Sequence, residues 1–167
     1  LDVGCGSWDL YQYMLDNNIK ANYAGIEIID EMIDFSKSRF PNINITNQNI
    51  LCSDFTTKYD ILVFSGGLYF RGNIIEKEWR EFVYAMINKM YNQSNIGISF
   101  NLLTTYKNKH NDQLFYLDPK EIIDYTANNL SRYFNLSHCY PLYEWTISIL
   151  NLDYIKSTHN LPEYDKY

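Results

Sequence analysis

The chain is poor in cysteine, glycine and proline, and it has no long uninterrupted apolar run. Its 167 residues include 3 cysteines, 7 glycines and 4 prolines. Cys5, Cys52 and Cys139 are odd in number and widely spaced, which argues against a secreted disulfide framework and favours a reducing, cytoplasmic setting. Every apolar run is shorter than the roughly 20 residues that cross a bilayer, so we expect no membrane-spanning segment.

Metal-ligand spacings and basic clusters are also scarce. His110, His138 and His159 stand apart, and no paired Cys or His spacing occurs, so we expect no metal site. The formal net charge is -6, from 14 Lys and Arg against 20 Asp and Glu, which disfavours nucleic acid as a partner. The nearest approach to a basic cluster, Lys107, Lys109 and His110, is typical of a solvated loop.

The composition suits one globular domain. Hydrophobic residues make up 46% of the chain, enough for a substantial core without disulfides or metals. We expect a domain over residues 1–153 and a polar, loosely held C-terminal tail over 154–167. Because the chain starts at Leu1, without methionine and inside a predicted strand, we expect that residues preceding it are missing.

Short apolar runs alternate with segments of helical period, which predicts an α/β fold. The expected sheet is mostly parallel and seven-stranded, with helices on both faces. Only a short turn at Pro141 separates the last two strands, so we expect the last strand to be antiparallel. The predicted strands span residues 1–3, 23–28, 43–47, 59–65, 97–103, 136–140 and 144–152.

Four helices are predicted between these strands, over residues 8–17, 30–40, 74–91 and 118–134. Asp30 and Asp118 stand where helix N-caps belong, and Pro119 suits the first helical position. The apolar stripe of the third helix, which includes aromatic and methionine residues, is expected to be core. The polar connection over 104–117 is longer than most, and such loops are often functional.

The first glycines lie between the predicted first strand and first helix. In Asp2-Val3-Gly4-Cys5-Gly6-Ser7 the glycines let the backbone approach a ligand and leave N–H groups free to bind it. Glu27 ends the second predicted strand about 20 residues further on, where a carboxylate can accept hydrogen bonds from ribose hydroxyls. Dinucleotide sites have a third glycine where Asp9 stands, and this carboxylate would repel a pyrophosphate. A sulfonium nucleoside meets no such repulsion.

Several segments together resemble the class I S-adenosylmethionine-dependent methyltransferases. LDVGCG is similar to the glycine loop of that family, YAGIEI to its second strand and YDILVFSGGLY to its fourth. The resemblance covers nearly the whole chain and implies a three-layer Rossmann-like fold, methyl transfer, and S-adenosylmethionine as the cofactor. The later stretches resemble a bacterial subgroup of this family, some of whose members are associated with surface polysaccharide loci. These stretches are GISFNLLT, YLDPKEIIDYTANNLS and YPLYEWTISI.

The resemblance implies a cofactor role for nine positions. Asp2 would orient the glycine loop, Gly4 and Gly6 would lie against the methionine part, and Glu27 would hold the ribose. Taken singly, Asp2, Glu27 and Asn49 are equally typical of a turn cap, a strand end and an ordinary turn, and it is their joint spacing that favours a site. The adenine would lie between Ile28 and Ile50 beside Asn49, and the amino-acid end would face Ser65 and Gly66.

Trp8 departs from the family pattern, because it stands where G-x-G-x-G has its third glycine. We expect this indole either to point to solvent or to lean over the cofactor pocket, where it would line the substrate cavity or weaken cofactor binding.

The acceptor is expected beyond the carboxyl ends of the fourth and fifth strands. His110 is a candidate base, or else an exposed loop histidine, and Arg71 either binds an acceptor anion or pairs with a surface acid. Ser65-Gly66-Gly67-Leu68 stands where nucleic-acid amino-methyltransferases carry an Asn/Asp-Pro-Pro-Tyr loop, which favours O- or N-methylation of a small molecule or glycan. The candidate acceptor contacts are Trp8, Tyr69, Arg71, Asn101, Tyr106, His110 and Tyr116.

Two other functions remain open at this point. The chain can be a cofactor-binding but inactive module that acts through protein contacts, or, less favoured because of Asp9, an NAD-dependent oxidoreductase.

Overall fold

An eight-stranded sheet organises the residues that the computed structural model describes, namely 1–52, 55 and 58–159. The strands are β1 (Asp2–Val3), β2 (Gly25–Glu27), β3 (Ile45–Asn47), β4 (Tyr59–Phe64), β5 (Ser94–Thr104), β6 (Tyr116–Leu117), β7 (Phe134–Ser137) and β8 (Glu144–Leu150). Seven of them lie in the order β3-β2-β1-β4-β5-β8-β7, and β6 pairs with β5. Strands β1 to β6 pair in parallel, whereas β8 is antiparallel to both β5 and β7. The predicted α/β sheet with an antiparallel last strand is confirmed.

The helices are α1 (Asp9–Asp16), α2 (Asp30–Arg39), α3 (Glu76–Gln93), α4 (Pro119–Asn129) and α5 (Leu152–His159), with a 3₁₀ turn over Ile50–Cys52. They cover both faces of the sheet, as predicted. A side chain on Gly25 would point at Trp8, next to α1, while the adjacent Ile26 lines a cavity with Phe82 of α3. Successive residues of a strand point to opposite faces, so α1 and α3 lie on opposite faces.

The main core lies between the sheet and α3 and α4. Leu62, Phe100 and Trp145 contribute fully buried side chains from the central strands. Helix α3 buries Val83, Met86, Ile87 and Met90 at helical spacing, which confirms the predicted stripe. Burial of one such side chain stabilises a fold by roughly 1.5 to 3 kcal/mol. This core fixes the carboxyl ends of β4 and β5, where ligands gather in open α/β sheets.

Of the two predicted helix N-caps, Asp118 is confirmed and Asp30 is wrong. The Asp118 carboxylate accepts the Lys120 N–H at 2.8 Å with Pro119 in the first turn, so the predicted cap of α4 is confirmed. Asp30 is not a cap, because Ile29 holds that position and Asp30 is the first residue of α2. The Asp30 carboxylate instead accepts the Asn47 amide from β3.

The end of α4, the start of β7 and the short strand β6 differ from the predictions. Helix α4 ends at Asn129 rather than near residue 134, because Phe134 pairs with Ile149 and so begins β7. The long connection after β5 ends in β6, whose Tyr116 and Leu117 pair with Leu103 and Thr104. A two-residue strand leaves no period-2 pattern for a sequence to show.

A helix lies where the sequence predicts the start of a polar tail. Asn151 accepts the Asp153 N–H at 3.0 Å and donates to the Ser94 carbonyl at 3.1 Å, which ties the start of α5 to β5. Ile155 is buried beneath this helix. Leu152 and Ile155 are the two aliphatic residues of this short helix, too few to show a helical stripe in the sequence. Among the described helices, none is long and apolar enough to cross a membrane.

Candidate cofactor site

The glycine loop joins the end of β1 to the end of β2. The Cys5 N–H donates to the Ile26 carbonyl at 3.1 Å, and the Gly6 N–H donates to the Glu27 carboxylate at 3.0 Å. Gly4 and Gly6 have φ angles of 62° and 50°, in the left-handed region that glycine adopts without penalty. A Cβ on Gly4 would also stand 2.9 Å from the Phe64 ring. Glycine therefore lets the loop lie close against β4.

Glu27 is the buried carboxylate at the centre of the site, with 7% of its surface exposed. Its Oε1 accepts the N–H groups of Ile28 at 2.7 Å and Ile29 at 3.1 Å, and its Oε2 accepts that of Gly6. A carboxylate oxygen accepts about two hydrogen bonds, so Oε2 keeps capacity for a hydroxyl donor. The backbone thus holds Glu27 in one position with one oxygen available to a ribose.

A cavity of about 330 Å³ opens beside this carboxylate. Five of the nine positions predicted to bind cofactor line it, namely Gly4, Glu27, Ile28, Asn49 and Ile50. The walls are apolar apart from a few polar groups around Glu27, which is the pattern expected where a flat purine is covered on both faces. The residues present therefore fit a nucleoside cofactor.

The two isoleucines predicted beside the adenine differ in exposure. Ile28 is 63% exposed at the cavity rim, whereas Ile50 is buried in the 3₁₀ turn. The Asn49 Oδ1 accepts the Leu51 N–H at 2.9 Å, so the amide is held by the start of that turn. Such an oxygen can accept a second hydrogen bond.

Nine of the fourteen residues that line the cavity were not predicted from the sequence. Six of them come from β1, β2, β4 and α3, and the other three lie in the loops after β2, β3 and β4. The aromatic pair Trp79 and Phe82 of α3 has ring centres 4.8 Å apart. We expected the α3 aromatics to be core, yet this helix buries one part of its stripe and lines the cavity with another. The missed residues are Val3, Ile26, Ile29, Gln48, Phe64, Gly67, Trp79, Phe82 and Met86.

Asp2, Gly6, Ser65 and Gly66 complete the predicted cofactor set but are not part of the cavity wall. Asp2 is buried beneath the loop and accepts the Tyr23 hydroxyl. Ser65 and Gly66 are exposed directly after β4. Their contact with a cofactor remains a prediction.

The prediction that Trp8 points to solvent or over the pocket is wrong. Its indole is 1% exposed and packs edge-on against Tyr11 and Tyr23, with its Nε1–H 3.1 Å from Cys5 Sγ. The backbone keeps the left-handed conformation of the missing glycine, with φ of 67°. This conformation turns the side chain into the α1 face of the sheet, away from the cavity. Trp8 is therefore not a substrate contact.

Burial raises the pKa of Asp2 to about 6, against the opposing hydrogen bond from Tyr23. The nearby charge of Glu27 raises it further. The folded chain therefore binds this proton more tightly than the unfolded chain does, and stability falls as the pH rises from about 4 to about 6. We expect Asp2→Asn to remove this loss, worth up to about 3 kcal/mol, when urea unfolding is compared at pH 4 and pH 7. Equal pH dependence of the two proteins would contradict this assignment.

Asp9, the residue that disfavours a dinucleotide, forms an exposed ion pair. Its carboxylate accepts the Ser7 hydroxyl at 2.6 Å and the Arg39 guanidinium at 2.8 Å. The hydrogen bond from Ser7 is the larger cause, and that from Arg39 the smaller, of a lowered pKa for the Asp9 carboxyl, so Asp9 stays ionised at neutral pH. Arg39 offsets part of the repulsion that we expected toward a pyrophosphate. Asp9 alone is thus a weaker argument against NAD than its position suggests.

The loops after β4 and β5 contact each other through their backbones. Phe70 and Leu114 form an antiparallel bridge, and the Phe115 N–H donates to the Tyr69 carbonyl at 2.7 Å. The N–H groups of Arg71 and Gly72 both donate to the Gln113 carbonyl at 3.0 Å. The structure thereby brings Tyr69 and Arg71 together with the segment that carries two other acceptor candidates, His110 and Tyr116.

His110 has a neighbour at both ring nitrogens. Lys107 Nζ lies 2.8 Å from Nδ1, and Asp112 Oδ1 lies 3.0 Å from Nε2. Tyr116 stacks beside the imidazole at 5.2 Å, with Lys107 over its ring. As a base, His110 would have to give up one of these contacts. Tyr106 lies apart from this group, with its ring 6.1 Å from that of His138.

Comparison with known proteins identifies the family. No family model matches the chain. A Mycobacterium tuberculosis protein named as a methyltransferase, Rv1506c, is 32% identical over 151 residues, which cover 89% of this chain and 90% of that protein.

Solved structures show the same fold at low identity. Synechocystis PCC 6803 magnesium protoporphyrin IX methyltransferase (ChlM) with bound SAH has a TM-score of 0.67 and 13% identity, over 90% of this chain and 72% of that one. Streptomyces venezuelae DesVI has a TM-score of 0.66 and 10% identity, over 89% and 81%. With this relative, this fold and this glycine loop tied to Glu27, the chain belongs to the class I methyltransferases, enzymes that use S-adenosylmethionine as their cofactor.

Proposed function

We propose that this methyltransferase acts on a hydroxyl or amino group of a small molecule or glycan. The observation that carries the proposal is the bridge between Phe70 and Leu114, which joins the loops that follow β4 and β5. These loops offer tyrosines and Arg71, groups that bind polar acceptors of modest size. The Synechocystis enzyme of the same fold is itself named for magnesium protoporphyrin IX, a small molecule.

The residues of the chain divide the work of positioning the reactants. S-adenosylmethionine, when bound, supplies a methyl group already activated by its sulfonium. Glu27 orients the ribose through Oε2, and Ile28 and Ile50 cover the adenine. Gly4 and Gly6 let the backbone lie against the methionine part. Aligning an activated donor with a nucleophile supplies much of the rate, so transfer needs no obligatory acid or base.

The sequence left open whether Trp8 weakens cofactor binding. Its indole lies on the α1 face of the sheet, and the backbone keeps the conformation of the glycine that it replaces. This arrangement leaves the pocket beside Gly4 open, which supports cofactor binding. Turnover distinguishes an active enzyme from a module that binds the cofactor without using it.

Calorimetric titration tests the cofactor, and a methylation assay tests the acceptor. We expect S-adenosylhomocysteine to bind with micromolar affinity and NAD not to bind. With labelled S-adenosylmethionine, we expect transfer to members of a panel of hydroxyl- and amine-bearing small molecules and sugars, with an oligonucleotide as the comparison. Cofactor binding without turnover on any acceptor would favour the inactive module, and transfer to the oligonucleotide alone would overturn the acceptor class.

A further inference from the structure

Three groups form a hydrogen-bonded relay at the carboxyl ends of β4 and β5. The Gly66 N–H, just after β4, donates to Asn101 Oδ1 of β5 at 2.9 Å. The Asn101 amide in turn donates through Nδ2 to Glu144 Oε2, on the first residue of β8, at 3.0 Å. Asn101 is a predicted acceptor contact, whereas no sequence pattern singled out Glu144. The relay places a carboxylate two hydrogen bonds from the loop that follows β4.

Glu144 determines which way round the Asn101 amide stands. An amide presents an acceptor on one side and a donor on the other, and a carboxylate only accepts. With Nδ2 directed at Glu144, Oδ1 must face Gly66. The opposite orientation would set two donors against each other at Gly66 and two acceptors at Glu144, leaving both contacts unmade.

Gly66 has a φ of 81°, in the left-handed region, so the chain turns sharply at this residue. Its N–H is the group that the relay holds. Ser65 and Gly66 are the residues proposed to face the amino-acid end of the cofactor, so the orientation of this peptide bears on that contact.

We propose that Glu144 is a positioning residue of the cofactor site. It orients the Asn101 amide, which fixes the Gly66 peptide and the turn that meets the methionine part of the cofactor. The inference rests on the proposed cofactor role of Ser65 and Gly66. Glu144 acts through Asn101 and Gly66 and does not itself touch the reacting atoms.

The same pair of strands supplies a matched control. Ser99 of β5 and Ser148 of β8 are paired in register, and their hydroxyls lie 2.9 Å apart. This hydrogen bond joins the same two strands two residues from Asn101, and the Gly66 N–H donates to Asn101 rather than to either serine. Breaking it removes a side-chain link between β5 and β8 but leaves the relay intact.

The relay is tested by variants that exchange its hydrogen-bond donor and acceptor. The Kd of each full-chain variant for S-adenosylhomocysteine is measured by titration. In Asn101→Asp the new carboxylate still accepts from Gly66 but faces Glu144, and we expect the Kd to rise about tenfold from the lost hydrogen bond and the repulsion. Adding Glu144→Gln supplies a side-chain amide that donates to this carboxylate. We expect the double variant to return to within about threefold of wild type. Ser148→Ala should bind like wild type.

Thermal unfolding of each variant is measured alongside the Kd. Failure of the double variant to restore affinity while it unfolds at the wild-type temperature would overturn the positioning role, as would an equal loss in Ser148→Ala. If Asn101→Asp does not fold, Glu144→Leu replaces it, with the same tenfold loss expected. If the wild-type protein does not bind S-adenosylhomocysteine, the proposed function itself is contradicted. If the wild-type protein binds normally and the variants have the same Kd, only the positioning role of Glu144 is contradicted.

Discussion

Replacing Trp8 with glycine, the residue of the family pattern, should lower the free energy of unfolding by about 3 kcal/mol. Two effects oppose each other. Removal of a fully buried tryptophan typically destabilises a protein by about 3 to 5 kcal/mol, whereas relief of a left-handed φ returns about 1 to 2 kcal/mol. Burial outweighs strain because the indole packs against two tyrosines and donates to Cys5. Urea unfolding of the variant and wild type measures the difference.

Asn18 provides the control for backbone strain. It is the other described non-glycine residue with positive φ, at 54°, and its side chain is exposed. We expect Asn18→Gly to change stability by less than about 1 kcal/mol, since strain is relieved without loss of packing. A stabilised Trp8→Gly would show that strain dominates at position 8. Cofactor affinity should stay within about threefold, because the indole does not line the cavity.

Glu27→Ala is expected to raise the Kd for S-adenosylhomocysteine about a hundredfold. Hydrogen bonds to a charged group are worth about 1.5 to 3 kcal/mol each, and the ribose loses its carboxylate partner. The substitution also leaves the N–H groups of Gly6, Ile28 and Ile29 without this acceptor, so the glycine loop loses its link to the end of β2. Calorimetric titration measures the first effect and thermal unfolding the second.

Two variants separate binding from folding at this position. Glu27→Gln keeps an oxygen for the N–H groups of Ile28 and Ile29 but turns an amide donor toward the Gly6 N–H, so we expect an intermediate loss of affinity. Glu31→Ala removes an exposed glutamate four residues away, in the first turn of α2, and should bind like wild type. Unchanged affinity in Glu27→Ala would refute the ribose contact.

The sequence predicted the parts of the site that depend on local geometry. A glycine loop between a strand and a helix, and an acid at the end of the next strand, are placed by the order of the elements alone. The side of the sheet on which Trp8 lies was not predictable in this way, because it depends on a backbone φ that a tryptophan seldom adopts.

The α3 wall of the cavity was missed for a different reason. An apolar stripe reports that a helix face is covered, but not whether protein or ligand covers it. Met90 lies deep in the core, while Trp79 and Phe82 on the same helix line the cavity. Only the position of the first turns of α3 beside the carboxyl end of β4 distinguishes the two. Glu144 was missed because its partner Asn101 is 43 residues away in the chain.

The bridge between Phe70 and Leu114 has a consequence for exchanging loops between relatives. A loop grafted after β4 alone would leave behind the Gln113 carbonyl, which accepts two of its N–H groups. Unpaired peptide groups of this kind would distort the graft. The segment from Leu68 to Gly72 and the segment from Asn111 to Phe115 thus form one structural unit, and acceptor preference should transfer only when both are exchanged together.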